Sequence, residues 1–220
     1  ILMLIATTTI SSRAYGYGFE YQGLNYICYD HNHTAMVTYT SNSFSESNYP
    51  DIDYMIFIPE TIEKDGETYT VTSIGAYAFQ RVKGLRAVYL PETVTTICHY
   101  AFNDCYDLLI IEPLTNVEEI HEFAFNMCQK LVYFSIADAS NLKYIGFEAF
   151  NSCDNLQFDF KIYDNAKYIG TDDNPYFYLY GPVNDNITSC TVIAGCVRIN
   201  NFWSCANLSS VYLPNNVQYI

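Results

Sequence analysis

A frame of about 23 residues recurs along the chain and narrows the possible folds more than any other feature. In the stretch from Ile97 to Ile120 an aromatic follows the leading Ile by five residues (Phe102), a Cys by eight (Cys105) and a Leu by eleven (Leu108). The same frame fits Ile74 (Phe79, Val82, Leu85), Ile120 (Phe125, Cys128, Leu131) and Ile145 (Phe150, Cys153, Leu156). It also fits Val197, with Phe202, Cys205 and Leu208. Successive leading residues lie 23, 23, 25 and 24 apart through Ile169, then 28 to Val197 and 23 to Ile220. A unit of this size cannot enclose a core alone, so each apolar position must stack on its counterpart in the next coil. The expected fold is a β-rich repeat solenoid with one short parallel strand per coil.

The residue types at these offsets suit that architecture. Leu85 to Leu90 alternates apolar and exposed positions with a period of two, as a half-buried strand requires. The prolines that follow the strands (Pro91, Pro113, Pro214) lack an amide proton and end the ladder. Thr93 to Ile97 reads as a second extended piece on the opposite side of the coil. The Ala-Phe pair at Phe79, Phe102, Phe125 and Phe150 suits a short turn, its ring filling the interior with Phe202 as a later member. Cys105, Cys128, Cys153 and Cys205 form a parallel column, best read as free buried thiols acting as small hydrophobes. Cys190 and Cys196, six residues apart, are the better disulfide candidates of the eight cysteines.

The segments outside the regular frame are assigned by pattern. Residues 1–14 read as a signal-peptide remnant, an apolar run followed by Ser12-Arg13-Ala14, with the mature chain starting near Tyr15. A hydrophobic first strand is the other reading. Residues 15–73 read as a β-rich N-terminal cap and modified first coil, containing a Ser/Asn-rich linker (Ser41–Asn48) and a tight turn at Asp65-Gly66. Regular repeats occupy 74–169, an insertion 170–196, and a further repeat of a truncated array 197–220. The aromatic insertion either projects as a binding feature or seals a break in the stack.

Composition excludes several functions. With ten Lys and Arg against 24 Asp and Glu, the chain carries a net charge of −14. It lacks the basic footprint that nucleic acid or anionic lipid demands. Solubility of an exported protein accounts for the acidity; a basic partner is the alternative. No stretch approaches the apolar length of a membrane helix. His31 and His33 would share one face if they lay on a strand, and Asp172-Asp173-Asn174 carries oxygen ligands, but neither has metal-site spacing. The histidines read as a solvated strand end or loop. No phosphate loop, nucleophile elbow or zinc-protease motif occurs, so neither enzyme activity, cofactor nor metal is expected.

The run I-x-x-x-A-F-x-x-C-x-x-L-x-x-V-x-x-P-x-x-V-x-x-I resembles the BspA-like, treponemal-type leucine-rich repeat family from Met55 onward. Cys98 and His121 depart from it, standing where Gly usually follows the leading Ile. The resemblance implies a secreted or cell-surface protein that adheres to an extracellular or cell-surface protein, host matrix included. The strand face is the expected binding surface, through Arg86, Ala87, Tyr89, Ile110, Glu112, Tyr133, Ser135, Ser210 and Tyr212. Tyr and Arg suit that role because they offer rigid contact area with a polar handle. Glycan binding, by rings stacking on sugars, and a purely structural spacer are the competing functions.

Overall fold

The computed structural model describes residues 18–39, 55–134, 136, 139–156, 158–200, 202 and 204–218. The expected signal-peptide remnant, the linker, Ser135 and Ile220 lie outside the described residues. The described chain is strand-rich, with no helix. It opens with β1 (Phe19–Tyr21), β2 (Leu24–Tyr29) and β3 (Thr34–Thr38), then β4 (Met55–Phe57), β5 (Thr61–Lys64) and β6 (Glu67–Ile74). The repeats contribute β7 (Ala87–Tyr89), β8 (Thr96–Ile97), β9 (Ile110–Glu112), β10 (Glu119–Ile120) and β11 (Tyr144–Ile145). There follow β12 (Lys161–Tyr163), β13 (Ala166–Ile169), β14 (Tyr178–Pro182), β15 (Ser189–Thr191), β16 (Arg198–Ile199) and β17 (Ser210–Tyr212).

The largest sheet runs β1-β2-β3-β6-β8-β10-β11, with β5 folded back on β6. From β3 onward its neighbours are parallel and in register: Val37 pairs Ile74, Ile74 pairs Ile97, Ile97 pairs Ile120, and Ile120 pairs Ile145. Val37, outside the sequence frame, thus stands where a leading Ile would stand. The β5/β6 turn has positive φ at both Asp65 (55°) and Gly66 (87°), as a two-residue hairpin needs. On the opposite side of each repeat, β4, β7 and β9 form a second parallel sheet, extended by a bridge from Ile110 to Tyr133.

Between these sheets the apolar columns meet. Phe79, Phe102, Phe125 and Phe150 lie face over face, with ring centroids 5.2, 5.2 and 5.4 Å apart and planes within 11°. Beside them each thiol donates to a phenylalanine carbonyl: Cys105 to Phe79 at 2.9 Å, Cys128 to Phe102 at 3.2 Å, Cys153 to Phe125 at 3.1 Å. A cysteine thus fills volume and also gives the carbonyl a second donor beside the backbone amide it already accepts, which valine at the same place could not do. Burial pushes the Cys105 and Cys153 thiols up to about 12, and Cys128 well above its ordinary value for the same reason. All eight cysteines are free thiols, Cys190 and Cys196 included; Cys196 donates to the Arg198 carbonyl at 3.2 Å. Because the thiolate is the reactive form, an aromatic disulfide reagent at pH 8 is expected to modify half-exposed Cys28 and Cys98 first. The column should react only on unfolding, a difference that timed mass spectrometry resolves.

A third column uses asparagine: the Asn126 amide donates to the Asn103 oxygen at 2.7 Å and the Asn151 amide to Asn126 at 2.9 Å. The intervening turns adopt left-handed backbone at two places per repeat, none of them glycine: Tyr77 and Arg81, Tyr100 and Asp104, Phe123 and Met127, Glu148 and Ser152. Each such residue costs on the order of 1–2 kcal/mol. What offsets the cost is direction, since the turns aim their amides at the next repeat. Tyr100 donates to the Glu122 carbonyl at 3.1 Å, Phe102 to Ala124 at 2.8 Å and Asp104 to Asn126 at 2.9 Å.

The glycine after the leading Ile marks the closest approach of repeats. A Cβ on Gly146 would stand 2.2 Å from the Glu122 backbone nitrogen. Gly146→Ala is therefore expected to lower stability by about 1–3 kcal/mol, read as a lower denaturation midpoint. An alanine in place of Cys98, whose side chain the fold already accommodates, should cost less.

Two expectations need correction. First, the buried residues form two clusters rather than one dry interior: the larger runs from Leu24 to Tyr178, the second from Ala166 to Cys205. The parallel succession stops at β11, because β12 and β13 form an antiparallel hairpin and Ile169 pairs with Tyr178 on β14. Second, the leading position of the later repeat is Ile199, not Val197. Ile199 pairs with Leu179, and the Asn200 amide donates to the Leu179 carbonyl at 3.0 Å, as His121 does to Ile97 at 2.9 Å. The turn to Cys205 is consequently two residues shorter than in the other repeats. Phe202 is left half-buried against the second cluster, with Cys205, and outside the stacked file.

Candidate functional site

The three short strands of the β4-β7-β9 sheet present one side to solvent. Register sets Phe57, Tyr89 and Glu112 in one row, and Met55, Ala87, Ile110 and Tyr133 in another. Alternation sends the central Ile56, Val88 and Ile111 inward, all buried. Phe57 is 67% exposed and stacks on Tyr89 with centroids 4.6 Å apart and planes 14° apart; Tyr133 is 65% exposed. With Met55, 54% exposed, Phe57 and Tyr133 put three large apolar side chains in water on this one face. Ala87, expected on the exposed face, is only 4% exposed. Its methyl group lies between the longer side chains of its pairing neighbours Met55 and Ile110.

Of the expected binding residues, Tyr89, Glu112 and Tyr133 come together here, and Arg86 is exposed just before β7. Ser210 and Tyr212 do not join them. They lie on β17, which pairs with β15 in a separate two-stranded sheet, where Tyr212 is 62% exposed. Phe57 and Met55 were not among the expected residues. The signal was available, because Met55 to Pro59 repeats the pattern of Ala87 to Pro91 and sets Phe57 where Tyr89 stands.

Beyond Tyr133 a groove of about 910 Å³ separates the sheet from the 158–175 stretch. Its apolar lining includes Leu114, Phe134, Ile136 and Phe158, with Tyr89 and Tyr133 along one side. Glu112, Asp159 and Asp172 supply carboxylates, and Lys161 an ammonium. Lys161 is paired with Asp159, which raises its pKa through that hydrogen bond. Among the described residues, neither Glu112 nor Asp172 takes part in a salt bridge.

The remaining polar candidates are held structurally. His33 stacks on Tyr69 at 5.7 Å and faces Glu67 at 3.5 Å, while the Tyr69 hydroxyl donates to Asp30 at 2.7 Å. His121 faces Glu119 at 3.0 Å. Asn174 donates to the Gly195 carbonyl at 2.9 Å and accepts from the Tyr176 amide at 3.3 Å. Among the described residues no group of three or more His, Cys, Asp or Glu converges as a metal site, and no helix is long and apolar enough to cross a membrane.

Comparison with known proteins agrees with the repeat. The family described as BspA type leucine rich repeat region, in six copies, matches residues 50–178. A leucine-rich repeat protein from Bacteroides ovatus aligns at a TM-score of 0.54 and 23% identity over 90% of this chain. The alignment spans 42% of the length of that protein. One from Bacteroides capillosus aligns at 0.54 and 22% identity over 64% of this chain and 96% of its own. A Treponema pallidum leucine-rich repeat protein aligns at 0.49 and 20% identity, over 92% of this chain and 85% of its own. No curated protein matches the chain.

Proposed function

The chain belongs to the BspA type leucine-rich repeat family, and on that premise we propose that it is a non-enzymatic recognition module, displayed or secreted, that binds an extracellular or cell-surface protein. The observation that carries this reading is the aromatic side chains on the outer face of the β4-β7-β9 sheet, Phe57 stacked on Tyr89 in one row and exposed Tyr133 ending the neighbouring row. Rigid rings contribute contact area at little entropic cost, which is why they dominate binding hot spots. The surrounding fold serves as a solenoid scaffold: the strands up to β6 close its first end, the parallel ladder through β11 carries the regular coils, and the strands from β12 onward follow the break. Domain-scale rigidity of this kind keeps the aromatic side chains fixed before a partner arrives.

The reading is tested by immobilising extracellular-matrix proteins and measuring attachment of the purified chain. Replacing Phe57, Tyr89 and Tyr133 together by Ser is expected to weaken attachment by about tenfold or more. Tyr212→Ser, on a different sheet, should leave it within about twofold. Unchanged attachment in the folded triple variant would remove the proposal. The same exposed rings support glycan stacking as a second reading; selective signals on a glycan array, lost in the triple variant, would favour it instead.

A further inference from the structure

We propose that the groove beyond Tyr133 seats an extended segment of a partner polypeptide, with lysine or arginine side chains directed at Glu112 and Asp172. The inference rests on the recognition reading and names the chemistry of what is recognised. Among the described residues the groove is a gap in a strand ladder. On one side the ladder continues from β9 to Tyr133 through the Ile110 bridge. On the other stands Lys161 at the start of β12, the outermost strand of a different sheet. A slot bounded by two polypeptide edges, floored by Leu114, Phe134 and Ile136, fits an extended chain whose alternate side chains point down and up.

Charge selects the occupant. Asp159 neutralises Lys161, so the rim keeps the net charge of Glu112 and Asp172, neither of them in a salt bridge among the described residues. The whole chain adds a field of −14. Positive side chains are drawn to such a cleft and acidic ones repelled, and the apolar walls strengthen the effect. The same field disfavours a second copy of this chain, which would bring another −14 to the rim.

The probe is a short synthetic peptide alternating lysine with valine or tyrosine, compared with one carrying glutamate for each lysine, titrated into the full chain by fluorescence anisotropy. The lysine peptide is expected to bind at least about tenfold more tightly than the glutamate peptide. Glu112→Gln with Asp172→Asn should weaken it by about tenfold and flatten its salt dependence. Both carboxylates are exposed and outside the core, and a thermal melt verifies that the variant folds. No binding of the lysine peptide, equal binding of the two peptides, or binding unchanged in the double variant would overturn the proposal. Phe57 does not line the groove. Attachment that still responds to Phe57→Ser while peptide binding ignores the rim carboxylates would sink this inference and leave the recognition reading standing.

Discussion

Truncating Phe125 to Ala is expected to lower the stability of the array by about 3–5 kcal/mol. The ring is fully buried, sandwiched between Phe102 at 5.2 Å and Phe150 at 5.4 Å, and met edge-on by Phe134 at 5.2 Å. Removing it strips contacts from three neighbours at once. The turn that carries it is pinned by hydrogen bonds to the next repeat, from Phe125 to Ala149 and from Met127 to Asn151, both 2.8 Å, so the site has little freedom to collapse. Stability in a stacked array is a sum of repeat and interface terms, and this substitution weakens two interfaces. Chemical denaturation should show a large fall in midpoint. A broadened or split transition would mark uncoupling of the repeats on either side. A loss under about 1 kcal/mol would mean that the file does not support the fold.

The second large effect is expected at the joint between the two buried clusters. Arg198, nearly buried on β16, donates from Nη1 to the Tyr144 hydroxyl at 3.1 Å. Its guanidinium lies over the Tyr144 ring at 5.1 Å and reaches Glu122 at 4.0 Å, while Tyr144 itself donates to Glu122. Removing one member of a buried charge group leaves the others unsatisfied, at about 3–5 kcal/mol when fully enclosed. Glu122 keeps a third of its side chain in solvent, so about 2–3 kcal/mol is the expected cost of Arg198→Ala.

A pH signature accompanies the loss. Burial works to raise the Glu122 pKa, but the Tyr144 hydrogen bond, then Glu122's own backbone amide, then the charges of His121 and Arg198 together hold it below its ordinary 4.5. A carboxylate depressed by folding stabilises above its unfolded pKa and gives that stability up as pH falls through the folded one. Asp107, lowered from 3.8 chiefly by its Lys130 hydrogen bond, acts in the same sense. Stability of the parent should therefore decline on acidification below about pH 4.5, and the Arg198→Ala variant should decline less. Denaturation midpoints at pH 7, 5 and 3 decide the matter; equal slopes in the two proteins would remove Arg198 from the account.

How far the fold was legible follows from which positions repeat. Ile97, Phe102 and Cys105 could be placed from sequence because an interior position faces the same demand in every repeat and draws the same residue type. Asn103, Asn126 and Asn151 recur just as strictly, and their ladder could have been read from the same frame. The left-handed residues could not. Arg81, Tyr100 and Met127 give no chemical sign of positive φ, since the penalty is offset by bonds to a neighbouring repeat rather than by glycine. Val197 misled because Phe202 and Cys205 fit the frame by count, whereas the shortened turn is set by pairing to Leu179. On the surface, Tyr89, Glu112 and Tyr133 were legible as strand positions. Their separation from Tyr212, and the groove beside them, arise where the strand ladder breaks, which no single repeat encodes.

The forward-aimed amides of the turns have an electrostatic consequence. From Tyr77 to Met127 alternate peptide groups of the turns point their N–H toward a carbonyl of the following repeat: Tyr77, Phe79 and Arg81, then Tyr100, Phe102 and Asp104, then Phe123, Phe125 and Met127. Those between them bond within their own turn. The forward-pointing dipoles add, leaving a partial positive pole near Glu148. There the Glu148 amide finds no further carbonyl in register and donates instead to the Asn200 side-chain oxygen at 3.0 Å. A strand-built protein of strongly negative charge thus carries at Glu148 a local electropositive terminus of the kind associated with helices, met from within by the Asn200 side chain.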